Sequence, residues 1–199
     1  MAKIVVSEFL TLDGVYQAPG GAEEDPSGGF TKGGWQMNFP DGGEGEENGG
    51  NEVLESFKQT EGLLLGRRTY DIFAAYWPNQ SKDDPFAAIM NGFDHYIVST
   101  TLSEPLAWEN SHLISRDVPA AVNALRAKPG KDIQVIGSGV LVKTLIANDL
   151  VDRYRLMVYP ILLGEGKKLF PEGLPDTRLK LANSKTTAGG VLILDYVPA

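Results

Sequence analysis

Two stretches of this 199-residue chain constrain its fold more than any others. Leu63-Leu64-Leu65-Gly66-Arg67-Arg68-Thr69-Tyr70 and Ile133-Gln134-Val135-Ile136-Gly137-Ser138-Gly139-Val140-Leu141 each run from an apolar strand through glycine into a helical pattern. A glycine at such a junction lets backbone approach a ligand closely, and the first helical turn presents unpaired N–H groups at the positive end of the helix dipole. Each is a candidate anion-binding turn, and two of them on parallel strands suit a cofactor carrying a diphosphate. Arg67 and Arg68 add fixed positive charge to the first turn and Thr69 adds a hydroxyl. An ordinary pair of strand-to-helix turns has the same local pattern.

Strands and helices alternate around these turns. Strands are predicted at Lys3–Leu10, Gly62–Leu65, His95–Ser99, His112–Ser115, Ile133–Ile136 and Arg153–Leu162. A short helix over Asn51–Thr60 carries Val53, Leu54 and Phe57 on one side, and Tyr70, Phe73, Ala74 and Trp77 mark an amphipathic helix that Pro78 stops. Asp117 reads as the N-cap of a helix with Val118, Ala121, Val122 and Leu125 on its apolar face, ended near Pro129-Gly130, and Ser138–Asn148 reads as another helix. Two closing strands, Leu179–Thr186 and Val191–Val197, meet at the hairpin turn Ala188-Gly189-Gly190. The pattern predicts an α/β fold, a mainly parallel sheet with an antiparallel C-terminal edge, built as one domain over residues 1–199 without internal repeats.

Composition narrows the function classes. A chain of this length with 42% hydrophobic residues can bury one substantial core. It has no 18-residue apolar run and no leader-like start, so neither a membrane partner nor secretion is expected, and the expected location is the cytoplasm. It has no cysteine, which excludes disulfides and thiolate metal ligands. A formal charge of −8 argues against a nucleic-acid partner. His95 and His112 lack a third ligand at metal spacing and read as structural, so no metal site is predicted. Glu165 reads as a surface loop carboxylate.

The charge is concentrated. Residues 17–50 hold eleven of the 23 glycines, seven carboxylates and one lysine, about three-quarters of the net charge. Such a composition predicts a long mobile loop that contributes little to the core, either a solvated insertion or a lid whose apolar groups, Phe30, Trp35, Met37 and Phe39, close over a ligand.

The two glycine turns, in this order and about 70 residues apart, resemble the dihydrofolate reductase superfamily. Gly62–Tyr70 followed by Tyr76-Trp77-Pro78, together with Leu150–Leu156 and Pro160–Phe170, is similar to the branch related to the reductase domain of bacterial riboflavin biosynthesis. The resemblance covers nearly the whole chain and implies a dihydrofolate-reductase-like three-layer fold, a homodimer, and an NADPH-dependent reductase acting on a small heterocyclic substrate, similar to 5-amino-6-(5-phosphoribosylamino)uracil reductase. A dihydrofolate reductase acting on a pterin and a catalytically silent nucleotide-binding module are the alternatives.

Carried over residue by residue, the resemblance assigns Gly66, Arg67, Arg68 and Thr69 to the cofactor phosphates, and Ser99, Thr100 and Thr101 to the adenosine 2′-phosphate. Gly137, Ser138, Gly139, Val140 and Leu141 fall under the diphosphate. Without the resemblance, Ser99-Thr100-Thr101 is equally a polar strand end. Ser138 replaces the second of two adjacent glycines that the family joins by a cis peptide. After the first strand, Thr11-Leu12-Asp13-Gly14-Val15 keeps the branch's Asp-Gly, with Val15 in place of its phosphate-handling lysine and Ile136 where a glutamate is common. Asp13 and Glu52 are the candidate catalytic acids, and Asp13, Gly14, Trp35 and Tyr70 the candidate substrate contacts. The carboxylate that protonates a pterin in folate-reducing members falls near Val53. Asp13-Gly14 also suits a plain turn, and Glu52 suits favourable dipole chemistry at a helix start.

Overall fold

The computed structural model describes residues 1–39 and 49–199. Eight strands form one sheet: β1 (Ile4–Thr11), β2 (Thr60–Gly66), β3 (Asp94–Val98), β4 (Ser111–Ile114), β5 (Asp132–Ile136), β6 (Arg153–Tyr159), β7 (Leu179–Thr186) and β8 (Leu192–Pro198), ordered β4-β3-β2-β5-β1-β6-β8-β7. The helices are α1 (Gly49–Lys58), α2 (Arg67–Tyr76), α3 (Pro85–Gly92), α4 (Val118–Ala127) and α5 (Gly139–Ala147). The fold is α/β, mostly parallel with an antiparallel edge, in agreement with the sequence pattern. The chain divides into two compact units, one of Met1–Val5 with Phe57–Val151 and one of Val6–Ser56 with Asp152–Ala199.

In the first unit β2 pairs parallel with both β3 and β5, and β3 pairs parallel with β4. Leu63, Leu64 and Leu65 are all fully buried, which is why the strand reads as a continuous apolar run rather than an alternating one. Gly62 permits the close pairing: a Cβ there would lie 2.9 Å from the Asp94 carbonyl oxygen and 3.1 Å from the Tyr96 ring. Asp117 caps α4 as predicted, accepting the Ala120 N–H at 3.2 Å. The helix predicted from the Tyr70 stripe ends one residue earlier, at Tyr76, and Trp77–Asn79 tightens into a 3-10 turn where Pro78 removes a donor. Helix α3 has no counterpart among the predicted elements. His95 is completely buried, stacked on Trp108 with ring centroids 3.6 Å apart and its nitrogens on the carbonyls of Met90 and Glu109. Burial pushes its pKa below the ordinary histidine value against the pull of those two carbonyls.

In the second unit β6 and β7 flank β8, both antiparallel to it. Arg155 faces Asp195 across the β6–β8 ladder and pairs with it at 3.0 Å. The closing hairpin turns where predicted: Gly190 has φ +82°, and Thr187 donates to the Val191 carbonyl at 2.9 Å. Strand β6 stops at Tyr159, three residues before its predicted end, because Pro160 has no N–H to continue the ladder. The core of the unit is centred on Tyr159, whose ring meets Phe9, Trp35 and Phe39 edge-on at 6.0, 5.5 and 5.4 Å.

That core corrects one expectation. Residues 17–39 do contribute to it: Ala18, Phe30 and Trp35 are buried and Phe39 packs against them. Of the four apolar groups expected on the segment, Met37 alone stands exposed, at 58%. Composition misled because a few apolar residues at irregular spacing suffice once glycines at positive φ, Gly28, Gly29 and Gly34, fold the chain back. Gln17 fastens the segment. Its side-chain amide donates to the carbonyls of Asp25 and Ser27, both at 2.9 Å, and accepts the Lys167 N–H at 2.9 Å, while its carbonyl accepts the Trp35 indole N–H at 2.8 Å. Lys167 Nζ adds bonds to Asp25 at 2.6 Å and Ser27 at 2.7 Å. The part of the predicted loop from 40 to 48 lies outside the described residues.

Candidate active site

Three of the segments singled out by sequence meet in the first unit. Gly66 ends β2, Ser99 follows β3 and Gly137 follows β5, so all three lie at the carboxyl ends of neighbouring parallel strands. Ligands of open α/β sheets bind at this end, because the helices that follow begin there with their N–H groups unpaired. Here α2 begins at Arg67 and α5 at Gly139, and neither Gly66 nor Ser138 caps its own helix with a side chain.

Side chains join the segments. Ser138 Oγ accepts the Gly66 N–H at 2.8 Å and donates to Thr69 Oγ1 at 2.9 Å. Gly137 sits under Thr69: its φ is +61°, and a Cβ there would lie 2.9 Å from Thr69 Oγ1. Arg67 Nη1 donates to Thr101 Oγ1 at 2.6 Å, and its Nε pairs with Asp71 at 3.2 Å. Thr101 is in turn held by Ser99, whose buried hydroxyl accepts the N–H groups of Thr101 at 3.2 Å and Leu102 at 3.1 Å. Arg68 and Thr100 are exposed, Val140 projects from the start of α5 at 85% exposure, and Leu141 is buried beneath it. The arrangement fits a phosphate-bearing group: two helix starts, the Arg67 guanidinium and the hydroxyls of Thr69, Thr101 and Ser138 lie at the carboxyl ends of adjacent parallel strands.

The Gly137–Ser138 peptide is trans; the cis bond among the described residues is Glu104–Pro105. The turn is instead made by two successive left-handed residues, Gly137 at φ +61° and Ser138 at φ +63°.

The remaining candidates have other surroundings. Asp13 lies in the turn after β1, where Gly14 has φ +83°. Its carboxylate accepts Thr11 Oγ1 at 2.6 Å, Gly164 N–H at 2.8 Å and Leu163 N–H at 3.2 Å. Burial opposes its charged form, but these donors outweigh burial and hold its pKa below the ordinary aspartate value. An aspartate held ionised in this way clasps a loop and is poorly suited to donate a proton near neutrality. Glu52 is ion-paired with Lys185. Trp35 lies in the core of the second unit, and Tyr70 in that of the first, its hydroxyl accepting the Trp108 N–H at 3.2 Å. Val15 is fully buried and pairs with Lys168. Sequence reasoning did not find Gln17 or the Ser138 link, since both join positions far apart in the chain.

Comparison with known proteins places this geometry in a family. The chain is 28% identical over 201 residues to the uncharacterized protein YyaP of Bacillus subtilis (strain 168), covering 98% of this chain and 94% of that one. It is 26% identical over 199 residues to YwjB of the same organism, also uncharacterized, covering 99% and 98%. Among solved structures, a Shewanella sp. PV-4 protein provisionally assigned to riboflavin biosynthesis superposes with a TM-score of 0.75 at 22% identity, covering 100% of this chain and 99% of that one. A pyrimidine reductase-like protein from Corynebacterium diphtheriae gives 0.63 at 14% identity, covering 100% and 92%. Both share the fold. Residues 2–193, which span both compact units, match the family described as the RibD C-terminal domain, and to that family this chain belongs.

Proposed function

We propose that this chain is an NADPH-dependent reductase that transfers a hydride to a small heterocyclic carbonyl or imine. The carrying observation is the convergence of Arg67, Thr69, Thr101, Gly137 and Ser138 at the carboxyl ends of β2, β3 and β5. Bound there, NADPH would supply the hydride. The chain's own contribution is electrostatic and positional. The starts of α2 and α5 hold the diphosphate, with Gly137 letting Thr69 pack close against the second turn, and Arg67 with the Ser99–Thr101 segment reads the 2′-phosphate. A single family match over residues 2–193 supports one domain. The resemblance supports a homodimer, the formal charge of −8 argues against a nucleic-acid partner, and the cytoplasm is the location this reading takes; among the described residues no helix is long and apolar enough to cross a membrane.

Pterin reduction is the weaker reading. Apolar Val53, packed against the Tyr159 core, stands where the resemblance calls for a carboxylate, and its neighbour Glu52 is held by Lys185. The buried, apolar Val15 in place of a phosphate-handling lysine makes the phosphorylated riboflavin intermediate a poorer substrate than an unphosphorylated relative. NADPH consumption measured with a ribitylaminouracil-type substrate, with its phosphorylated form and with a pterin tests the reading. Turnover of the first supports it, preference for the pterin overturns it, and NADPH binding without turnover of any makes the chain a silent binding module.

A further inference from the structure

We propose that the Ser138 hydroxyl is a positioning group that ties the two helix-start turns together and thereby sets how strongly the site distinguishes NADPH from NADH. The inference rests on the NADPH reading above and concerns a residue that departs from the family's paired glycines.

Ser138 holds φ +63° and ψ +41° directly after Gly137 at φ +61°. Glycine adopts such a backbone freely, whereas a serine does so at a cost. What serine adds over glycine is the hydroxyl, and both of that group's hydrogen-bonding roles are used on the other turn. As acceptor it takes the Gly66 N–H at 2.8 Å, and as donor it reaches Thr69 Oγ1 at 2.9 Å, with the Ile136 carbonyl more distant at 3.3 Å. Gly66 precedes α2 and has no side chain to contribute, so the cap-like contact comes from the neighbouring turn.

The two contacts bracket Arg67. Gly66 is the residue before it and Thr69 lies two residues after it, so the hydroxyl pins the helical turn from which the guanidinium reaches Thr101 at 2.6 Å. Releasing that turn frees Arg67 to leave its place. NADPH and NADH differ only at the 2′-phosphate that Arg67 reads in this proposal, so the loss falls more heavily on NADPH.

The test compares Ser138→Gly, Ser138→Ala and Thr69→Val with wild type. NADPH and NADH affinities are measured by fluorescence titration, and protection of the Gly66 amide by hydrogen exchange. Removing the hydroxyl either way is expected to lower the NADPH-to-NADH affinity ratio about three- to tenfold, the range of one or two lost hydrogen bonds. Gly66 protection falls in both serine variants, and Thr69→Val lowers the ratio less because it keeps the Gly66 contact. Ser138→Gly relieves the left-handed conformation, so its thermal midpoint stays near wild type and lost folding does not explain the result. A wild-type ratio in Ser138→Gly overturns the proposal, since backbone geometry would then suffice, and so do equal losses for both nucleotides. Unchanged Gly66 protection in both serine variants overturns the contact itself. A wild-type protein without preference for NADPH overturns the cofactor reading and the discriminating role with it, a result distinguishable because Gly66 protection still reports the contact.

Discussion

Asp13 Oδ2 accepts the Gly164 N–H at 2.8 Å, joining the turn after β1 to the connection after β6 over 151 residues of sequence. With Leu163 N–H and Thr11 Oγ1 also donating, the carboxylate is an acceptor throughout, and its pKa is lowered. A depressed folded-state pKa contributes stability that is present above the ordinary aspartate value and lost as pH falls through the folded-state value. Asp13→Ala should destabilise the protein by about 0.5 to 1.5 kcal/mol at neutral pH, the net worth of a hydrogen bond whose donors water can partly satisfy. Urea unfolding of wild type and variant at pH 7 and at pH 3 checks this. The gap between them should narrow at the lower pH; a gap of the same size there would mean that the charge on Asp13 is not what holds the loop.

Arg67 and Arg68 are the fixed cations of the proposed 2′-phosphate pocket, with Arg67 anchored on Thr101 and Asp71. The Arg67→Ala, Arg68→Ala double variant should lose NADPH affinity by about 1.5 to 3 kcal/mol for each charged hydrogen bond removed, while NADH affinity changes little. Parallel titrations with the two nucleotides measure it. An NADPH-to-NADH ratio equal to that of wild type would place the 2′-phosphate elsewhere.

Trp35 and Met37 sit two residues apart with opposite burial, 2% and 58% exposed. Trp35→Ala removes an indole that packs on Tyr159 and bonds to the Gln17 carbonyl, and should cost about 3 to 5 kcal/mol. Met37→Ala should fall within about 0.5 kcal/mol of wild type. Deleting Gly20–Gly45 removes Phe30 and Trp35 together and should abolish cooperative unfolding, contrary to what the composition of that segment alone predicts. Equal unfolding midpoints for Trp35→Ala and Met37→Ala would show that the segment is not part of the core.

These predictions separate what local sequence encodes from what it does not. Strand β2 and the two glycine turns were legible because their signals, an unbroken apolar run and glycine at a strand-to-helix junction, lie within a few residues. Asp84-Pro85 carries an equally local signature for α3, an N-cap that accepts the Phe86 N–H at 2.8 Å followed by proline in the first turn. Periodicity does not reveal this helix, because its next residues, Phe86 to Met90, are apolar throughout and show no 3.6-residue alternation. The burial of Trp35 and the fastening of Gln17 to Lys167 depend on partners more than 100 residues away. So does the character of the site. Ser138 reads locally as a substitution for glycine, and its partner Gly66, 72 residues earlier, becomes visible only when β5 lies beside β2.

Gly137 offers the most direct test of whether the paired turns bind a dinucleotide at all. Its φ of +61° is costly for any side chain, and a Cβ there would press on Thr69 Oγ1 at 2.9 Å, the atom that also meets Ser138. Gly137→Val therefore acts twice: it strains the turn, by about 1 to 2 kcal/mol from backbone conformation alone, and it drives Thr69 out of its place between the two helix starts. NADPH binding should be abolished. Gly137→Ala supplies the control for folding, because its smaller side chain makes the same contact with less bulk and should weaken binding while leaving a cooperative thermal transition. If a folded Gly137→Val protein bound NADPH with wild-type affinity, the turn would be structural, and the reductase reading would lose the geometry that supports it.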